Sequence, residues 1–90
     1  MKIIKIGAMW CPACIIVNKF WNKLEENNKD MNFIKYDIDF DEEETSRYKD
    51  LDILPVVIAE ENNQEVKRII GEHTIEEYQK FIEELKDEKN

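Results

Sequence analysis

The hexapeptide MWCPAC, residues 9–14, contains both cysteines of this 90-residue chain and one of its two tryptophans. Before it, an isoleucine-rich segment over residues 2–6 ends at Gly7 and is typical of a short β-strand. After it, residues that suit a buried helix face recur at helical spacing: Cys14, Val17, Phe20, Trp21 and Leu24. Pro12 is favoured in the first turn of a helix, where its missing N–H costs nothing. The cysteines are therefore predicted to lie where a strand ends and a long helix begins.

This position gives the cysteine pair a specific chemistry. Free backbone N–H groups and the helix macrodipole at Cys11 favour its thiolate over its thiol. Cys14 lies one helical turn further on, so its sulfur is predicted to reach that of Cys11 and to be the less exposed of the two. The pattern indicates dithiol–disulfide exchange, in which Cys11 attacks a substrate disulfide and Cys14 resolves the mixed disulfide. Pro12 and Ala13 help to set the redox potential, because they decide how many N–H donors reach the thiolate.

The rest of the chain predicts three more strands and two more helices. The strands are expected over residues 31–38, 56–59 and 65–70. The helix that begins at Pro12 is expected to end at about residue 28, and the two further helices are expected over residues 39–49 and 74–85. Asn62-Asn63 favours a hairpin turn, Gly71 ends the last strand, and Thr74 caps the last helix. A frayed tail is predicted from Lys86. The order βαβαββα predicts one α/β domain over residues 1–90, a four-stranded mixed sheet flanked by helices.

Composition narrows the classes of function. The net charge of −8 disfavours nucleic acid and anionic membrane surfaces as partners, because phosphate groups repel an acidic protein. No apolar run approaches the roughly 18 residues that cross a bilayer, and residues 1–6 do not resemble a signal peptide. We therefore expect a cytoplasmic protein. We also expect it to be a monomer. In that compartment a cysteine pair is more often catalytic or metal-binding than a structural disulfide.

These features resemble the thioredoxin/glutaredoxin superfamily over nearly the whole chain. Residues 10–14 resemble its W-C-x-x-C core, and Leu54-Pro55 at the start of a strand resembles its cis-proline opposite the cysteine pair. Gly71, followed by Thr74 and the last helix, resembles its C-terminal strand-to-helix step. The resemblance implies a thioredoxin-like fold, with Cys11 as nucleophile and Cys14 as resolving thiol, and no bound cofactor.

The resemblance also implies a substrate-binding surface around the cysteine pair. Its residues would be Trp10, Pro12, Ala13, Leu54, Pro55 and Gly71. Pro55 would be cis and would leave the backbone of Leu54 to pair with an extended substrate, as an added strand does. For Trp10, an exposed docking role and simple packing are both open, whereas the apolar helix face predicts that Trp21 is a core residue.

Three functions remain after this comparison of motifs. The main expectation is a protein-disulfide reductase recharged by a thioredoxin-type flavin reductase. A glutaredoxin recharged by glutathione is the first alternative, although the dipeptide Pro12-Ala13 matches neither branch and the run after Ile70 lacks the Gly-Gly and acidic pair that help glutaredoxins to hold glutathione. The second is a non-catalytic module that binds metal through the C-x-x-C pair. We expect no metal, because the two cysteines and the distant His73 do not complete a structural zinc site.

Lys5 is the largest departure from the family pattern. Thioredoxins place a buried carboxylate at this position, beneath the cysteine pair, that assists proton transfer at the resolving cysteine. One hypothesis places Lys5 behind the site near Cys14, where its charge tunes the pair by favouring the Cys14 thiolate. The alternative is that Lys5 reaches solvent past the sheet edge or pairs with Asp37 or Asp39.

Overall fold

The computed structural model of the protein describes residues 1–88 and has the predicted order of elements. The strands are β1 (Lys2–Gly7), β2 (Asn32–Asp37), β3 (Val56–Glu61) and β4 (Gln64–Ile70), and the helices are α1 (Pro12–Glu26), α2 (Glu42–Thr45) and α3 (Ile75–Glu88). The prediction of a four-stranded mixed sheet flanked by helices is confirmed.

The sheet has the strand order β2-β1-β3-β4. β1 is parallel to β2, and β3 is antiparallel to both of its neighbours. Parallel strands need a crossover connection, and α1 supplies it between β1 and β2. The register pairs Lys5 with Lys35 and Gly7 with Asp37. Because β1 is an inner strand, the cysteines that follow it lie near the middle of the sheet, at the end where β1 stops.

Two apolar layers cover the faces of the sheet. Side chains alternate between the faces along a strand, so Ile3 of β1 lies in the layer beneath α1 and α3, while Ile4 and Ile6 lie in the opposite layer. On the first face, Trp21 packs edge-to-face against Tyr78, with ring centroids 5.5 Å apart. The contact between α1 and α3 thus fixes α1 against the sheet. It also fixes the position of the cysteine pair at the start of α1.

The second helix is shorter than predicted. It was expected to continue to about Lys49, but α2 ends at Thr45. A tertiary interaction explains the difference, because Arg47 and the Tyr48 hydroxyl both turn toward the buried Glu60, at 2.8 and 2.7 Å from its Oε2. A buried carboxylate is costly without such partners, so they take precedence over helix propensity.

Smaller differences concern the ends of elements. α1 ends at Glu26, β2 is one residue shorter at each end than predicted, and β3 extends to Glu61. The frayed tail is wrong as far as Glu88, because α3 continues to that residue, and the rest of the predicted tail lies outside the described residues. Among residues 1–88, none of the helices is both long and apolar enough to cross a membrane.

Candidate active site

Cys11 is the N-cap residue of α1, and Pro12 is the first residue of the helix. The Cys14 backbone N–H donates to Cys11 Sγ at 3.3 Å. Both cysteines are free thiols and are largely buried, Cys11 with 6% and Cys14 with 3% of the surface exposed. The sulfur of Cys11 therefore accepts a backbone N–H at the N-terminal end of the helix macrodipole, an environment that suits negative charge.

The opposite wall of the site is the segment of Leu54 and Pro55. The peptide bond between them is cis, as the resemblance predicts, and the Cys11 thiol donates to the Leu54 carbonyl at 3.7 Å. Gly71 supports this wall from behind, since its N–H donates to the Pro55 carbonyl at 2.8 Å and its own carbonyl accepts the Tyr78 hydroxyl. Gly71 has φ of +85°, which favours glycine. A direct role of Gly71 in substrate binding stays a prediction.

Trp10 lies on the surface beside the cysteines. It is 67% exposed, so it is not a core residue, and its indole N–H donates to Asp39 Oδ2 at 2.6 Å. Three other large apolar side chains of neighbouring loops are also exposed: Met9, Phe40 and Ile53. Pro12 is exposed and Ala13 half-buried. These residues give the rim of the site an apolar surface with an acidic neighbour.

Lys5 is buried behind the site, with 6% of its surface exposed. Its ammonium group donates to Asn18 Oδ1 and lies 4.9 Å from the ring centroid of Trp21. The prediction that Lys5 reaches solvent or pairs with Asp37 or Asp39 is therefore wrong, because the side chain turns inward beneath α1. Burial, followed by repulsion from Lys35, lowers the pKa of Lys5 to about 8.

The Cys14 thiol is difficult to ionise. Burial and its hydrogen bond with Cys11 raise the pKa of Cys14 to about 11, while the positive charge of Lys5 acts in the opposite direction and is the smaller effect. The hypothesis that Lys5 favours the Cys14 thiolate thus has the right sign, but burial outweighs it. At neutral pH, Cys14 is a thiol whose proton must be removed before the sulfur can attack.

Gly7 lets the Cys14 sulfur approach the sheet. A Cβ built at Gly7 would lie 3.1 Å from Cys14 Sγ, closer than ordinary van der Waals contact. We expect Gly7→Ala to displace this sulfur and to destabilise the protein by about 1 kcal/mol, as mild overpacking does. Urea unfolding measures the loss. In a Cys14→Ala background the sulfur is gone and Gly7→Ala should cost nothing further, so equal costs in both backgrounds would contradict the contact.

A metal centre is not apparent around the pair. In the part of the chain that the structure describes, no group of three or more His, Cys, Asp or Glu side chains lies together as metal ligands would. His73 is instead bonded at the end of β4, with Nε2 2.9 Å from the Ile70 carbonyl oxygen, and its ring lies edge-on to Tyr78.

Three residues of the site were missed by sequence reasoning. Asn18 follows Cys14 by one helical turn, and this spacing was the available signal for its position beside Lys5. Gly7 follows Lys5 by two residues, and the alternation of a strand places both on the same face. The bond from Trp10 to Asp39 joins two loops, and no local pattern indicates it.

A C-x-x-C pair at a helix N-terminus, next to a cis-proline segment at the same end of a mixed sheet, defines the class: an α/β protein with a dithiol site. The chain belongs to the thioredoxin family, since the family model described as Thioredoxin matches residues 1–84. A thioredoxin of Mycoplasmoides gallisepticum is 28% identical over 67 residues, which cover 74% of this chain and 67% of the relative. A thioredoxin of Ophiophagus hannah is 26% identical over 69 residues, 77% of this chain and 65% of the relative. The chain thus spans about two thirds of the length of these relatives.

Solved structures support the same assignment. The crystal structure of reduced Schistosoma mansoni thioredoxin superposes with a TM-score of 0.81 at 26% identity, covering 92% of this chain and 76% of that one. The part of the chain that superposes therefore has the thioredoxin fold.

Proposed function

We propose that the protein is a thiol–disulfide oxidoreductase that reduces disulfide bonds of protein substrates through a Cys11/Cys14 cycle. The position of Cys11 Sγ supports this most strongly. The sulfur caps a helix, accepts the Cys14 N–H at 3.3 Å and lies 3.7 Å from the Leu54 carbonyl oxygen. A sulfur in this environment is suited to act as a thiolate nucleophile.

The first step is attack of the Cys11 thiolate on a substrate disulfide. A bond forms between Cys11 Sγ and one substrate sulfur, the substrate S–S bond breaks, and the other substrate sulfur leaves as a thiolate. The Cys14 N–H and the start of α1 stabilise the charge on Cys11 before the attack. The product is a mixed disulfide between Cys11 and the substrate.

The second step releases the reduced substrate. Cys14 loses its proton and attacks Cys11 Sγ, the mixed disulfide breaks, and the second substrate sulfur leaves as a thiolate. Two electrons have then moved from the cysteine pair to the substrate, and the protein holds a Cys11–Cys14 disulfide. Because burial raises the pKa of Cys14 to about 11, this step depends on removal of its proton.

The rim of the site suits protein substrates. Trp10, which precedes Cys11, and Ile53, which precedes Leu54, expose apolar surface. An extended segment beside Leu54 would bind as an added strand does. The oxidised pair must be recharged by an electron donor, for which we propose a thioredoxin-type flavin reductase. We place the cycle in the cytoplasm, where thiols are kept reduced.

A comparison of electron donors tests the function. The protein is incubated with insulin as disulfide substrate and NADPH, either with thioredoxin reductase or with glutathione and glutathione reductase, and NADPH oxidation is followed. We expect oxidation with thioredoxin reductase, and none with the matched Cys11→Ser/Cys14→Ser protein. Oxidation with glutathione alone would identify a glutaredoxin. If neither donor works and reduced protein leaves insulin unreduced, the proposed function is wrong.

A further inference from the structure

Lys5 and Cys14 line the same pocket, which is partly open to solvent. They line one cavity of about 480 Å³ with Asn18, Lys35 and Asp37 among its other walls. The Cys14 sulfur lies against Gly7, and Lys5 is two residues earlier on the same face of β1. The amine of Lys5 is held by Asn18, one turn of α1 after Cys14, where side chains have Cβ atoms about 5–6 Å apart. The amine and the thiol thus line the same pocket, and the charge of each acts on the other.

We infer that Lys5, as a neutral amine, accepts the proton of Cys14 in the second step of the cycle. The inference rests on the proposed function and names the base that this step needs. The Cys14 S–H bond breaks, the proton moves to Lys5 Nζ, and the sulfur electron pair forms the bond to Cys11 Sγ. The mixed disulfide breaks and the substrate leaves as a thiolate, so no further oxidant or reductant is required. Transfer takes place directly or through one water in the cavity, the reach of a general base.

The surroundings of Lys5 suit both of its protonation states. With a pKa of about 8, roughly one tenth of the amine is neutral at pH 7 and available as a base. After transfer, the ammonium group has the Asn18 Oδ1 atom as acceptor and the Trp21 ring beneath it, which is a favourable cation–π contact. Asn18 and Trp21 therefore stabilise Lys5 once it has accepted the proton from Cys14.

Several other charged groups around this pocket have partners of their own. Lys35 and Glu25 pair with each other at 3.7 Å near the surface. Asp37 uses Oδ1 to accept the N–H groups of Asp39 and Phe40, and Asp41 accepts the Asp37 N–H.

The strand and helix on the remaining sides offer no base either. Val57, the neighbour of Lys5 on β3, is apolar. Burial raises the pKa of Tyr78 on α3 to about 12, so its hydroxyl stays protonated. Asp37 lines the same pocket as Cys14, and within the described residues only its Oδ1 atom accepts backbone N–H groups, so it is a rival proton acceptor that a control must test.

The two steps can be timed separately with dithionitrobenzoate as the disulfide. Attack by Cys11 releases one coloured thiolate, and attack by Cys14 on the resulting mixed disulfide releases a second. We expect Lys5→Met to leave the first release unchanged and to slow the second by about 100-fold at pH 7, the loss expected for a general base. Circular dichroism shows whether the variant is folded, because an unfolded chain would also react with dithionitrobenzoate.

Two further variants separate proton acceptance from charge. Lys5→Arg keeps the positive charge but cannot give a neutral base, so its second release should be as slow as that of Lys5→Met. Lys5→Glu supplies a base of opposite charge and should be faster than Lys5→Met. If the positive charge alone matters, the order is reversed, with arginine fastest and glutamate slowest, and that result would overturn the inference.

The pH dependence gives an independent readout. In the unchanged protein, the second release should rise with pH to an inflection near 8, the pKa of Lys5, and Lys5→Met should lose this inflection. The controls Asp37→Asn and Lys35→Met should keep a fast second release. A second release that fails in Asp37→Asn and persists in Lys5→Met identifies Asp37 as the base. Absence of the first release in the unchanged protein would instead refute the proposed function itself.

Discussion

A Cys14→Ser variant is expected to accumulate as a covalent mixed disulfide with its substrate, whereas a Cys11→Ser variant forms none, and both lose turnover. The two sulfurs are buried to a similar degree but occupy different places. Cys11 caps α1 and accepts the Cys14 N–H, an interaction that involves the backbone of residue 14 and survives its replacement by serine. The first attack is thus preserved in Cys14→Ser, and only the resolving sulfur is lost.

Mass spectrometry of the non-reduced protein measures this outcome. Each variant is mixed with a disulfide-bonded protein, quenched with acid and analysed for the mass of one protein plus one substrate chain. The adduct of Cys14→Ser should disappear on addition of dithiothreitol. An adduct on Cys11→Ser, with none on Cys14→Ser, would exchange the roles of the two cysteines and contradict the proposed order of attack.

The chemistry of the site was predictable where it depends on local sequence. An isoleucine-rich strand, Pro12 in the first helical turn and the spacing of apolar residues after it place Cys11 at the start of α1, because each of these features acts over a few neighbouring residues. The cis Leu54–Pro55 bond was expected through the family resemblance only, since base rates strongly favour trans.

The remainder depends on contacts between distant segments. Lysine is usually a surface residue, so the sequence alone predicts that Lys5 is exposed. Only the packing of α1 over β1 shows that it is buried against Trp21 and bonded to Asn18. The early end of α2 also depends on a distant contact. The buried carboxylate of Glu60 on β3 accepts hydrogen bonds from Arg47 and Tyr48, which follow α2 in the chain. The hydrogen-bond partners of a buried charged group therefore depend on the tertiary structure and not on the neighbouring sequence.

The two tryptophans are expected to respond to the same substitution in opposite ways. Trp21→Ala should lower the free energy of unfolding by about 3–5 kcal/mol, the range for removal of a large buried side chain. Trp21 is 1% exposed and packs edge-to-face against Tyr78 and Phe33. Its indole N–H has no hydrogen-bond partner within the described residues, so the loss arises from packing. Domains of this kind have about 5–15 kcal/mol in total, which leaves the variant near its unfolding threshold.

Trp10→Ala is the matched control and tests the rim of the site. Trp10 is 67% exposed and donates one hydrogen bond to Asp39, so its loss should change the free energy of unfolding by about 1 kcal/mol or less. Urea unfolding followed by circular dichroism compares the two variants without relying on tryptophan fluorescence. Trp10→Ala should raise the KM for a protein disulfide but leave the reaction with dithionitrobenzoate unchanged, because only a protein contacts the apolar rim. Equal loss of stability in both variants would show that Trp10 holds the loop of the site in place. That result would contradict the assignment of Trp21 to the core and of Trp10 to substrate docking.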